Sequence, residues 1–171
     1  PGLNGAYLRL PWALIEPEEG HFLWESLDTP AQRWIDQGLQ VSFRISALEP
    51  WMYKATPQWV FDAGAKGFDA EGWVYEPDYD DPIYLEKVEH FVKAMAERYD
   101  GSPHVAFVDI GHMGMWGEDT PWLQHRSMVT SGLSKLKNGL LTSIAAASRR
   151  HSYVYRMIMA DLSCGQNTIR S

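Results

Sequence analysis

The sequence predicts an α/β fold built from parallel strand–helix–strand units, and three features indicate it. Short apolar runs typical of strands alternate with segments of helical periodicity. Both predicted helices are followed by a glycine, Gly38 and Gly101, as helix ends commonly are. There is no internal repeat, and 171 residues are enough for one ordinary domain with a core.

The first unit runs from a strand at residues 6–12, through a helix at 26–37, to a strand at 41–45. Gly5 and Pro11 bound the first strand. The apolar residues of the helix fall on one face, as expected when one side packs on a sheet. They are Leu27, Ala31, Trp34 and Ile35.

The second unit begins with a long aromatic-rich loop, predicted at residues 47–81; such loops are usually functional. Asp81-Pro82 then opens a helix, because Asp is a preferred N-cap and Pro is favoured at the first helical position. A buried strand follows at residues 105–110. The predicted apolar stripe of the helix consists of Leu85, Val88, Val92, Met95 and Tyr99.

A run that starts at Arg9 carries a specific pattern. It reads R-L-P-W-A-L-I-E-P-E-E-G-H-F-L-W, and the strand Q-V-S-F-R-I-S-A begins at Gln40. Both segments, with the later T-P-Q-W, resemble the early strands of the (β/α)8 barrels that hydrolyse glycosides. The likeness is to the β-galactosidase-like members of the large retaining clan (clan A, family 42-like), and it spans about residues 5–118.

The resemblance implies a partial TIM (β/α)8 barrel, roughly strands two to four, over residues 1–118. A complete barrel of this type has about 250 residues, so a fragment is expected. In the clan, the acid/base carboxyl follows the fourth strand and the nucleophile follows the seventh. Glu118 is therefore the catalytic candidate, its partner lies beyond this chain, and the chain alone is expected to be inactive. A loop carboxylate with a capping or pairing role is an equal alternative for Glu118.

Substrate-binding candidates are the polar and aromatic residues near the predicted carboxyl ends of the strands, where barrels place their active sites. One departure from the clan is visible, since its usual Asn-Glu pair at the end of the fourth strand is replaced by Gly111-His112. The candidates are Arg9, Trp12, Arg44, Glu49, Trp51, His112 and Trp116.

Each candidate has a simpler structural alternative. Arg9 and Arg44 lie in apolar strands, where an unpaired charge is costly, so each is expected either to orient a substrate or to pair with a buried acid. Substrate contact is favoured for Arg9 and pairing for Arg44. His112 binds substrate or is simply hydrogen-bonded. Three other tryptophans are expected to pack in the core or brace loops: Trp24, Trp34 and Trp59. Three glutamates are expected to be turn and surface charges: Glu16, Glu18 and Glu19.

Composition narrows the function further. An acidic body with many aromatics argues against nucleic acid and fits a neutral sugar. No apolar run approaches the roughly 20 residues of a membrane span. No recognised ligand set predicts a metal, and no nucleotide-binding motif predicts a cofactor. The single cysteine, Cys164, leaves the compartment open between secreted, periplasmic and cytoplasmic, and the oligomeric state is also open.

Residues 119–171 form an atypical tail. Up to Asp119 there are 21 acidic and 8 basic residues, whereas one acid and seven bases follow. We consider the frame in which each new codon joins the last base of one codon to the first two bases of the next. In that frame Met157-Ile158 must encode Asp and Met159-Ala160 must encode Gly. Elsewhere in the tail, synonymous codons permit a sequence that resembles a further strand–helix unit of the barrel. The sequence therefore favours out-of-frame translation over a genuine helical or disordered extension.

Three rival functions stay open. A non-catalytic carbohydrate-binding barrel would keep the aromatics without an acid/base pair. A metal-dependent barrel hydrolase would bind metal as a complete protein. An interaction protein would use its basic tail on an acidic partner.

Overall fold

A computed structural model describes residues 5–117. The strands are β1 (Gly5–Pro11), β2 (Gln40–Ser46), β3 (Gly67–Ala70), β4 (Val74–Pro77) and β5 (Val105–Gly111). The helices are α1 (Trp12–Ile15), α2 (Glu25–Ile35), α3 (Gln58–Asp62), α4 (Pro82–Tyr99) and a short 3₁₀ turn (Met115–Gly117).

Strands β1, β2 and β5 form one parallel sheet in that order, with α2 and α4 as the crossovers. The register places Arg9 beside Arg44, and Arg44 beside Asp109. This arrangement confirms the predicted α/β class and its parallel units. The predicted bounds of α2 and of the three strands differ from the structure by no more than two residues.

The prediction that residues 47–81 form one long loop is wrong. This stretch contains α3 and an antiparallel hairpin of β3 and β4. The hairpin closes through a turn in which Glu71 has φ 55° and Gly72 has φ 77°, a left-handed pair that tight hairpins require. Such a turn is hard to recognise here because the flanking strands have only four residues each.

The core lies between the sheet and its two long helices. Leu8, Phe43 and Val108 come from the three strands and belong to one apolar cluster with residues of α2 and α4. Because strand side chains alternate between faces, the intervening residues of each strand lie on the opposite side of the sheet. That opposite face carries the polar residues considered below.

Helix α4 forms as its sequence predicts. The Asp81 carboxylate accepts hydrogen bonds from the backbone N–H groups of Ile83 and Tyr84, and Pro82 takes the first helical position. The predicted stripe is buried except for the partly exposed Leu85. No helix within residues 5–117 combines the length and apolar character that crossing a membrane requires.

In α2, Leu27 and Ala31 are buried as predicted, whereas Trp34 is 37% exposed. Trp34 therefore does not lie in the buried core, and its bracing of a loop stays a prediction. Trp24 does brace, since its ring stacks on Phe22 with centroids 4.6 Å apart.

Candidate functional site

The first polar group on the open face of the sheet is centred on the Asp109 carboxylate. Its Oδ2 atom accepts hydrogen bonds from Arg44 Nε at 2.7 Å and from the Tyr7 hydroxyl at 2.6 Å. Arg44 Nη2 lies 2.7 Å from the same oxygen. The three residues come from β2, β5 and β1, so the group spans the whole sheet.

This group is a buried ion pair with a hydroxyl attached. The side chains of Arg44 and Asp109 are 10% and 4% exposed, so water contributes little to solvating either charge. Burial and the neighbouring Asp109 carboxylate raise the pKa of the Tyr7 hydroxyl, which keeps that hydroxyl protonated as a donor. Arg44 thus pairs with a buried acid, the alternative favoured from the sequence.

The second polar group is centred on Glu49, just past the carboxyl end of β2. The Glu49 side chain is fully buried and accepts hydrogen bonds from Ser46 Oγ at 2.5 Å and from Trp51 Nε1 at 2.9 Å. Arg9 Nε lies 3.5 Å from Glu49 Oε1, and the Arg9 side chain remains 40% exposed. Arg9 is therefore paired at one end and still open to a ligand.

The segment after β5 crosses this same edge. Its Gly114 and Trp116 both have positive φ angles, 70° and 57°. Trp116 N–H donates to the Leu48 carbonyl at 3.0 Å, and Arg44 Nη1 donates to the Trp116 carbonyl at 3.4 Å. These bonds fix the backbone that leads to Glu118, which itself lies outside the described residues.

His112 lies on the helix side of the sheet. Its ring is 1% exposed and contacts the rings of Trp12 and Phe91, with centroids 5.2 Å and 5.1 Å away. Neither ring nitrogen has a hydrogen-bond partner among residues 5–117. Burial lowers the pKa of His112 to about 3, so the ring is neutral near pH 7.

Trp12 is also internal. It is fully buried, meets Trp59 edge-on at 5.8 Å, and donates from Nε1 to Glu16 Oε2 at 2.8 Å. Trp59 donates in turn to the Glu16 carbonyl, so it braces this turn as expected. A ring with no exposed surface cannot stack on a sugar.

Glu16 differs from its expected surface position. It is 4% exposed, and it accepts from the Gly20 backbone N–H as well as from Trp12. Burial raises the pKa of the Glu16 carboxyl, although both donors oppose the shift. Glu18 and Glu19 are exposed, and Glu19 pairs with Lys87 at 2.7 Å.

Two tryptophans reach the surface near the carboxyl edge. Trp51 is 62% exposed although its indole N–H is tied to Glu49, and Trp116 is 39% exposed. Sequence reasoning missed Tyr7 and gave Asp109 no pairing role; the spacing of Tyr7 two residues before Arg9 was the available signal. Within residues 5–117, no three His, Cys, Asp or Glu side chains are grouped closely enough to hold a metal ion.

The parallel strand–helix units define a segment of a TIM barrel. Endo-glycoceramidase II from Rhodococcus sp. shares the fold over 84% of this chain and 39% of its own, with a TM-score of 0.56 and 15% sequence identity. At the level of sequence, the family model described as Beta-galactosidase, glycoside hydrolase family 42, matches residues 7–113. The chain therefore belongs to glycoside hydrolase family 42.

Curated relatives agree with this assignment. The chain is 33% identical over 97 residues to the beta-galactosidase BglY of Alicyclobacillus acidocaldarius, a match that covers 55% of this chain. It is 30% identical over 103 residues to the beta-galactosidase Bga of Halorubrum lacusprofundi, which covers 56% of this chain. The matches span 14% of the length of each of these relatives.

Proposed function

We propose that this chain supplies roughly strands two to four of the active-site barrel of a glycoside hydrolase that cleaves β-galactosidic bonds with retention. The observation that carries the proposal is the family match across residues 7–113, the stretch that contains both polar groups of the carboxyl edge. A sugar presents hydroxyls and apolar C–H faces, and the edge offers charged donors beside exposed indole rings.

The proposed roles follow from exposure. Arg9 keeps an open guanidinium face and binds substrate hydroxyls, while the exposed rings of Trp51 and Trp116 stack on the sugar. Glu49 and Arg44 act by holding Arg9, Trp51 and the segment after β5 in place. Trp12 and His112 are left out of the substrate-binding set, because both are buried on the helix side.

In the proposed reaction, Glu118 is the acid/base. It protonates the oxygen of the departing sugar while a second carboxylate, contributed from outside this chain, attacks the anomeric carbon. Water then hydrolyses the glycosyl intermediate, and Glu118 removes the proton from that water. The chain alone is expected not to hydrolyse substrate, because it supplies one of the two carboxylates.

Hydrolysis of lactose by the full-length protein tests this proposal. Glu118→Gln is expected to lower the rate by about 10²- to 10⁴-fold, the usual contribution of a general acid or base. Glu86→Gln, an exposed glutamate of α4, is the matched control and should keep the wild-type rate. Unchanged hydrolysis by the Glu118→Gln variant would remove Glu118 from the mechanism.

A non-catalytic carbohydrate-binding barrel is the second candidate. It is favoured by one observation: the strand end where the clan carries Asn-Glu has Gly111 and a His112 that turns into the core. Galactose binding by the full-length protein, measured by calorimetry, with no hydrolysis of any β-galactoside would select this function over the first.

For residues 119–171 we propose translation outside the native frame; the structure does not describe this part of the chain. The nucleotide sequence of the source locus, read onward from the Glu118 codon, tests it. A shifted frame that continues as strand–helix units supports the proposal, and an open, translated frame matching the present tail overturns it.

A further inference from the structure

The β3–β4 hairpin stands over the carboxyl edge of the parallel sheet. Its inward residues Ala70 and Val74, each 1% exposed, form a buried cluster with Leu48 and Met115. Leu48 follows β2, and Met115 follows β5. The hairpin is therefore packed on the two segments that also carry Glu49 and Trp116.

The other side of the hairpin is also anchored. Tyr75 N–H donates to the Tyr53 carbonyl at 2.6 Å, and the Tyr53 hydroxyl donates to Asp69 Oδ2 at 2.9 Å. The Lys54 ammonium lies 4.8 Å from the centre of the Tyr75 ring, a cation–π distance. Contacts on both sides hold the hairpin in one position.

The tip of this held hairpin presents Trp73. The turn is closed by Trp73 N–H to the Ala70 carbonyl at 3.0 Å, and by Gly72 N–H to Asp69 Oδ1 at 2.8 Å. Trp73 is 67% exposed, the largest fraction among the exposed large hydrophobic side chains of residues 5–117. The turn that carries Trp73 is thus hydrogen-bonded, and the exposed indole offers a large apolar area that a ligand can cover.

We propose that Trp73 is a stacking platform for the outer sugars of an oligosaccharide whose first sugar lies at the carboxyl edge. This inference rests on the proposed function and extends it from the bond cleaved to the length of the substrate. Trp73 is the neighbour in sequence of Val74, and Trp116 is the neighbour of Met115, two members of the same buried cluster. This cluster joins the backbone next to Trp73 to the segments that follow β2 and β5.

The charges and the indole ring at the tip of the β3–β4 hairpin favour a neutral carbohydrate as the ligand. Beside Trp73 the exposed charges of the hairpin are the carboxylates of Asp69 and Glu71. The nearby cation Lys54 lies on the ring of Tyr75, so the tip disfavours a polyanion such as nucleic acid. The carboxylates of Asp69 and Glu71 accept hydrogen bonds from hydroxyls, while the indole covers the apolar face of a sugar ring. A ligand that needs both is a hydroxyl-rich chain without charge.

Calorimetric binding of galactose and of a β-linked galactotetraose to the full-length protein carrying Glu118→Gln, in which hydrolysis of the tetraose is slowed, tests this platform. All variants are made in this background, in which the protein with Trp73 intact serves as the wild type. Trp73→Ala should weaken tetraose binding about tenfold, which corresponds to about 1.4 kcal/mol, and should leave galactose binding unchanged. Trp73→Phe should restore most of the tetraose affinity, because it retains an aromatic face. Trp34→Ala, an exposed tryptophan on α2, is the matched control and should bind both sugars as the wild type does.

The outcomes separate the two proposals. If the wild type binds tetraose and Trp73→Ala binds it equally well, the platform is wrong and the proposed function stands. Equal weakening of galactose and tetraose would also overturn the platform, since Trp73 would then belong to the first sugar site. If the wild type binds neither sugar, the proposed function fails, and the platform fails with it.

Discussion

The two sides of the parallel sheet differ in chemistry, one apolar and one charged, although the same three strands form both. The face toward α2 and α4 is closed by apolar packing, and even its histidine is held neutral. The opposite face carries Asp109, and Glu49 follows the carboxyl end of β2; each acid lies beside an arginine and additional hydrogen-bond donors. The first arrangement stabilises the fold by removing apolar area from water, whereas the second balances each buried acid with an arginine, of which Arg9 is 40% exposed and Arg44 is buried.

The two sides also differ in the exposure of their aromatic rings. Trp12 on the helix side has no exposed surface, while Trp51 beside Glu49 remains 62% exposed. Burying a large ring removes apolar area from water and stabilises the fold, so an exposed ring forgoes that stabilisation. The exposed rings at the carboxyl edge are therefore the ones proposed to bind substrate.

The largest expected effect comes from removing the central ring of the helix side. Trp12→Ala should lower the free energy of unfolding by about 3–5 kcal/mol, because it leaves a cavity and deprives Glu16 of a buried donor. Urea denaturation monitored by far-UV circular dichroism measures it. Trp73→Ala, which truncates a ring that is 67% exposed, should cost about 1 kcal/mol or less. Similar losses in the two variants would contradict the assignment of Trp12 to the core.

The next effect tests the charged face. Asp109→Asn should cost about 3 kcal/mol, since it leaves the buried Arg44 guanidinium without its counter-charge. The matched control is Asp28→Asn, whose partner Arg98 forms a pair with both side chains 38% exposed. That exposed pair should be worth no more than about 1 kcal/mol. If urea unfolding gives equal losses for both variants, burial does not distinguish the two pairs.

These contrasts also show which parts of the molecule the sequence could reveal. Helix α4 was predictable because its start depends on two adjacent residues, Asp81 and Pro82, whose capping chemistry is local. The parallel strands were predictable because apolar runs and turns alternate along the chain. The family resemblance also predicted that the substrate-binding residues lie near the carboxyl ends of the strands.

What could not be predicted depends on contacts between distant residues. The Arg44–Asp109 pair joins positions 65 apart, and its partners are decided by the strand register. The β3–β4 hairpin is held by Leu48 and Met115, which lie outside it in sequence. From the sequence, Glu16 is one of several acids in a turn and is expected at the surface. Only the folded turn brings the donors of Trp12 and Gly20 to its carboxylate oxygens.

The smallest of the expected effects is the contribution of His112 to the pH dependence of the free energy of unfolding. In the folded chain its pKa is lowered to about 3, whereas an unfolded chain has an ordinary value near 6.5. Below pH 6.5 protons bind the unfolded state preferentially, so stability is fully present above that pH and falls as the pH drops toward 3. Between pH 7 and pH 5 the loss assigned to His112 is about 2 kcal/mol.

His112→Phe isolates that contribution, because it keeps an aromatic ring in the same apolar surroundings and cannot be protonated. Urea unfolding of the variant at pH 7 and pH 5 should show a difference smaller than that of the wild type by about 2 kcal/mol. His104→Gln, at an exposed position before β5, should keep the wild-type difference. If His112→Phe keeps it too, His112 is not buried as the structure has it. In that case the end of β5, where the clan carries its catalytic pair, would not belong to the buried helix side of the sheet.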